Sequence, residues 1–97
     1  MRRITIIGDG GWGTALALLM VSKGVDTVLW SYSPEYACHL ENIRENTKFL
    51  KGIPLPEELR VTADVGEAAD ADIVFFVVPC EYLREVAESF SGKGVAS

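Results

Sequence analysis

Gly8, Gly10 and Gly13 stand in the spacing G-x-G-x-x-G, after the strand-like run Arg3 to Ile7 and before the helix-like run Thr14 to Lys23. A glycine cluster costs conformational entropy on folding, so it persists where a side chain would block a turn, a packing contact or the approach of a ligand. Between a strand and a helix the chemistry it suits is anion recognition. The first glycine permits the tight turn, the second lets backbone approach a pyrophosphate, and the third lets helix and strand come close. The unpaired N–H groups and positive dipole end of a helix starting near Trp12 then hold two phosphates without a basic side chain. The competing explanation is a glycine turn required by packing alone. Trp12 is hard to place in a core; it covers a ligand or a domain boundary, or it packs.

Such a device is what an acidic chain needs. The 97 residues carry a formal charge of −5, so no overall basic field attracts nucleic acid or an anionic bilayer, and neither is expected as a partner. The length allows one small domain, and 48% hydrophobic with 24% charged residues is the composition of a soluble globular chain. Cys38 and Cys80 form no C-x-x-C pair, and Met1-Arg2-Arg3 leads straight into a strand with no signal peptide, which points to a reducing cytoplasm. The longest apolar stretch, Thr14 to Val21, is far shorter than the roughly 20 residues of a membrane-spanning helix.

The elements follow from periodicity and punctuation. Arg3 to Ile7 is a strand; Thr14 to Lys23 is a helix, apolar almost all round and closed by Lys23 and Gly24; Asp26 to Trp30 is a second strand. Strand, helix and strand make a βαβ unit with parallel strands. Ser33-Pro34 opens a helix over Pro34 to Arg44, and Asn46 to Pro56 is expected as a loop with two prolines. Leu59 to Thr62 is a short strand, and Asp64 caps a short helix over Val65 to Ala69. Ala71 to Val78 is a strand whose run Ile73 to Val78 has no polar face, as in a central parallel strand buried on both sides. Pro79 stops it, Glu81 to Phe90 is the next helix, and Ser91 to Gly94 a turn. Val95-Ala96 begins a strand that does not continue, so a truncated chain is expected. The fold class is α/β: a Rossmann-like parallel sheet with helices on both faces.

Dinucleotide folds place an Asp or Glu about 20 residues beyond the glycines, at the end of the second strand, for the adenosine ribose hydroxyls. Here Ser31, Tyr32 and Ser33 stand there, and Glu35 falls late, inside the next helix. A 2′-phosphate meets no acid and no Arg at this position, so NAD and NADP both stay open. At the end of the later apolar strand lies Val77-Val-Pro-Cys-Glu-Tyr82, where Tyr82 either reaches a cofactor or packs on a capping turn. His39 has no metal-ligand partner and is read as a surface or half-buried residue, and Cys80 has no neighbouring His or Lys to lower its pKa. Lys48, Lys51, Arg44 and Arg60 are read as solvated. No catalytic acid–base pair and no metal ligand is identified.

Gly8-Asp-Gly-Gly-Trp-Gly-Thr-Ala-Leu-Ala17, Val28-Leu-Trp30, the stretch Asn46 to Pro56 and Phe76-Val-Val-Pro79, in this order, resemble the N-terminal part of bacterial-type NAD(P)-dependent glycerol-3-phosphate dehydrogenases. The resemblance implies an enzyme interconverting dihydroxyacetone phosphate and sn-glycerol 3-phosphate with NADH or NADPH, supplying the backbone of phospholipids. It places Gly11, Trp12, Tyr32 and Tyr82 at the cofactor. Gly11 departs from the Ser usual in bacterial members, keeping only the backbone donor, and Tyr32 replaces an Arg or His common there, which weakens the case for strong NADP preference. The expected cofactor contacts are therefore Gly8, Asp9, Gly10, Gly11, Trp12 and Gly13, with Tyr32 and Ser33 at one strand end and Pro79 and Tyr82 at the other. The resemblance also implies a following Thr-Lys-Gly strand and a helical domain carrying a catalytic lysine and most substrate contacts. Residues 1–97 are then an incomplete cofactor domain, not expected to turn over alone, with the phosphorylated triose or glycerol substrate met through the missing domain and a second copy as a homodimer partner. Two other readings compete: a two-domain reductase of the 6-phosphogluconate or hydroxyacid type, separated only by the Asn46 to Pro56 stretch, and a non-catalytic module that senses NAD(H).

Overall fold

β-branched residues and turn signals divide the chain into short elements. They are β1 (Arg3–Ile7), α1 (Gly11–Ser22), β2 (Asp26–Trp30), α2 (Pro34–Ile43), β3 (Glu45–Asn46), β4 (Leu50–Pro54), β5 (Arg60–Thr62), α3 (Val65–Ala69) and β6 (Ile73–Phe76). The computed structural model describes residues 3–47, 50–78, 84–86 and 88. β1 lies between β2 and β6, and β5 lies outside β2, giving the order β5-β2-β1-β6 with every pairing parallel. Helices cover both faces. Ile4, Ile6 and Leu29 pack with Ala17 of α1 and with Ala37 and Leu40 of α2. On the other face Ile7 and Trp30 pack with Ala68 of α3 and with Val86, which lies in the helical residues 84–86. Full burial of Ile6, Ile7 and Leu29 stabilises the fold by about 1.5–3 kcal/mol each. The sheet is Rossmann-like and parallel, as expected. Among the described residues no helix is long and apolar enough to cross a membrane.

The structure corrects several expectations. α1 starts at Gly11 rather than Thr14, because the Gly10 carbonyl already accepts the Thr14 N–H at 2.9 Å. It ends where Gly24, at φ +78°, donates its N–H to the Val21 carbonyl. Ser33 Oγ accepts the Tyr36 N–H and caps α2, which stops at Ile43 because Arg44 turns left-handed at φ 59°. Arg44 is not solvated: its guanidinium donates to the carbonyls of Pro56 and Leu59 and ties down the segment leading into β5. β6 is not buried on both faces among the described residues. Among the described residues its one strand neighbour is β1, and Ile73 and Phe75 are exposed on the α1 side, while Val74 and Phe76 pack against the α3 side. The expected turn and strand after residue 90 lie outside the described residues.

Asn46 to Pro56 is not a plain loop. β3 and β4 pair antiparallel with an irregular register, so much of the segment's backbone satisfies itself. This ribbon carries the fully buried Asn46 to the glycine loop. Asn46 Nδ2 donates to the Asp9 carbonyl at 2.6 Å and to Thr14 Oγ1 at 2.7 Å, while the Tyr36 hydroxyl donates to Asn46 Oδ1. The Asp9 carbonyl can only accept, so the amide nitrogen must face it, and this fixes the amide's orientation. Thr14 Oγ1 in turn donates to the same carbonyl at 3.2 Å.

At the opposite edge of the sheet, Arg3 Nε and Arg60 Nη2 each approach Asp26 at 3.1 Å, so one carboxylate joins the first residues of β1, β2 and β5. Burial alone would raise the Asp26 pKa, but the hydrogen bond from Arg3 and the charges of Arg60 and Arg3 outweigh it and hold the carboxyl below its ordinary value.

Two outcomes follow. Asn46→Ala leaves the Tyr36 hydroxyl and the Asp9 carbonyl short of buried partners and should lower unfolding free energy by about 1–3 kcal/mol in urea titration. For Asp26, a folded pKa below the unfolded value of about 3.9 gives stability that is full above that value and is lost as pH falls through the folded one. Asp26→Asn should therefore melt below wild type near neutral pH, with the gap closing as the pH drops below about 4.

Candidate functional site

The three motif glycines have different causes. Gly8 sits at φ +129°, and a Cβ there would lie 2.1 Å from the Val77 carbonyl oxygen, which only glycine avoids. A Cβ on Gly13 would lie 2.1 Å from the Gly8 carbonyl oxygen, so the first turn of α1 rests directly on the end of β1. Packing explains both. Gly10 is different: at φ −68° its backbone suits any residue, and a Cβ there would meet nothing within 4 Å. Among the described residues the space in front of Gly10 is open, and none of them requires a glycine there.

That open space lies at the start of α1, where no side chain caps the helix. The first intrahelical bond runs from the Thr14 N–H, so the N–H groups of Gly11, Trp12 and Gly13 precede it, with the positive end of the helix dipole behind them. Trp12, 85% exposed, projects from this turn rather than into the core. The position is the C-terminal edge of a parallel sheet, where ligands of open α/β folds bind. A pyrophosphate fits these groups: open room, backbone donors and a helix N-terminus, with no side chain of the described residues within 4 Å of the Cβ position of Gly10.

The other expected residues gather beside the loop. Tyr32 is exposed and stands edge-on to Trp30, with ring centroids 6.0 Å apart. With Ser33 it lines a cavity of about 550 Å³ that Asp9, Glu35 and His39 also line. His39 is half-buried, stacked on Tyr36 and 2.9 Å from Thr47 Oγ1 through Nε2. The structure thus brings Gly8 to Gly13, Tyr32 and Ser33 together, whereas Pro79, Cys80 and Tyr82 lie outside the described residues. Sequence reasoning missed Asn46 as the brace of the loop and Glu35 as a cavity residue. Glu35 is visible in the sequence as the acid of the first turn of α2; Asn46 has no local signal, because its partners are 10 to 37 residues away.

Comparisons with known proteins point to one family. A glycerol-3-phosphate dehydrogenase (NAD(P)+) from Prosthecochloris aestuarii is 41% identical over 90 residues, covering 92% of this chain and 27% of that relative. One from Nitratidesulfovibrio vulgaris is 46% identical over 88 residues, 90% of this chain and 27% of its own length. The crystal structure of a glycerol-3-phosphate dehydrogenase from Coxiella burnetii superposes with a TM-score of 0.92 at 31% identity, over 98% of this chain and 30% of that one. The chain spans about a quarter of the curated relatives it matches. The family described as NAD-dependent glycerol-3-phosphate dehydrogenase N-terminus matches residues 3–96, and it is to this family that the chain belongs.

Proposed function

We propose that residues 1–97 form the cofactor-binding domain of an NAD(P)-dependent glycerol-3-phosphate dehydrogenase that interconverts dihydroxyacetone phosphate and sn-glycerol 3-phosphate. The observation that carries this reading is Gly10. Its missing side chain relieves no contact among the described residues and keeps open the approach to an uncapped helix N-terminus. The backbone of Gly8 to Gly13 faces the pyrophosphate, Tyr32 and Ser33 take the adenosine end, and Pro79 and Tyr82 belong to the cofactor's other flank. Bound NAD(P)H supplies a hydride to the carbonyl carbon of the triose, whose oxygen takes a proton.

The chain's own part is to bind and orient, converting an encounter into a positioned reaction. The proton and most substrate contacts belong to a further helical domain, in keeping with a chain that covers 27% of its relatives. Family membership is what favours this reading over the sensing module and over the 6-phosphogluconate or hydroxyacid reductases. A cytoplasmic location and a homodimeric assembly complete it; the exposed free thiol of Cys38 suits a reducing compartment.

The test separates the glycines by cause. Titration with NADH and NADPH, followed by tryptophan fluorescence and calorimetry, should show saturable binding. Gly10→Val should abolish it while costing at most about 1 kcal/mol of stability. Gly13→Val should instead destabilise the fold by on the order of 3 kcal/mol, because its side chain has no room against Gly8. Failure of the wild-type protein to bind either dinucleotide, or full affinity in Gly10→Val, would overturn the reading.

A further inference from the structure

Dinucleotide folds take the acid for the adenosine ribose from the end of the second strand. That position holds Ser31, and β2 carries no acid at its end. A carboxylate is nevertheless present at the end of β2, supplied from the glycine loop. Ser31 Oγ donates to Asp9 Oδ2 at 2.7 Å, across 22 residues of sequence, and Asp9 lines the same cavity as Tyr32 and Ser33. We propose that Asp9 is the ribose-binding acid of this chain and that it selects NAD(H) over NADP(H). The proposal rests on the cofactor reading above and deepens it.

Three features support the assignment. The first is positioning. The Asp9 backbone is fixed through its carbonyl by Asn46 and Thr14, and its side chain is fixed by Ser31. Ser31 is itself anchored, donating its N–H to the Thr62 carbonyl at 2.9 Å and accepting the Ser33 N–H at 3.3 Å. A carboxylate held at both ends is organised before the ligand arrives.

The second is spare capacity. Among the described residues Ser31 is the one hydrogen-bond donor to the Asp9 carboxylate, and it reaches Oδ2 only. A carboxylate accepts several hydrogen bonds, so Oδ1 is left for a ribose hydroxyl.

The third is charge. A 2′-phosphate would bring negative charge against Asp9, with Glu35 lining the same cavity, and no Lys or Arg is among the described residues that line it. The His39 ring, the one basic group among the described residues that line it, is already bonded to Thr47. A ribose 2′-hydroxyl donates a hydrogen bond where a 2′-phosphate would be repelled.

The experiment measures dissociation constants for NADH and NADPH in wild type, Asp9→Asn and Asp9→Ala. Wild type should prefer NADH by about tenfold or more. Asp9→Asn keeps the shape and removes the charge, so NADPH binding should tighten, NADH binding should weaken and the ratio should fall towards one. Both substitutions leave the Asp9 carbonyl in place, and Ser31 Oγ retains the Ser33 carbonyl at 3.1 Å as an acceptor, so melting temperatures control for folding. Equal wild-type affinities, or an unchanged ratio in Asp9→Asn, would overturn the proposal and leave the cofactor reading standing. A wild-type protein that binds neither dinucleotide overturns both.

Discussion

The fold depends on one backbone-to-backbone contact, the seat of Gly13 on the carbonyl of Gly8. Because no Cβ stands between them, α1 begins directly above the end of β1 and lies close over the sheet. That height brings Ala17 down onto Ile4, Ile6 and Leu29. It also leaves the first N–H groups of the helix pointing out over the C-terminal edge of the strands. Core packing and anion recognition are thus two faces of one close approach.

Charge is divided between the two edges of the sheet. At the edge where the strands start, Asp26 gathers Arg3 and Arg60, and opposite charges serve cohesion. Where the strands end, the loop meets its ligand with backbone dipoles, and the side-chain charges lining the neighbouring cavity include Asp9 and Glu35. A chain with a net charge of −5 can hold an anion this way, because the attraction is local and comes from groups with no formal charge.

Much of this was legible in the sequence because the causes are local. β1 and β2 coincide with their β-branched runs, Ser33 and Asp64 cap the helices they precede, and the glycine spacing places the loop. What escaped is non-local. β3 and β4 are held by pairing with each other, and Arg44 is spent on carbonyls 12 and 15 residues away. The apolar run at Ile73 reads as fully buried, yet hydrophobicity alone cannot say how many neighbours a strand finds. Asp9 is expected at the cofactor as part of the glycine motif, but only the bond to Ser31 gives its carboxylate a place at the end of β2.

The buried amide of Asn46 also sets an order of assembly. β1, α1 and β2 can pair once Trp30 is available. Even so, beyond Thr14 the Asp9 carbonyl gains its second side-chain donor, Asn46, only 37 residues downstream. Closing so long a loop costs entropy that short-range contacts do not. An emerging chain can therefore pair β1 with β2 before its binding turn takes final shape, because the turn waits for a residue made after both strands.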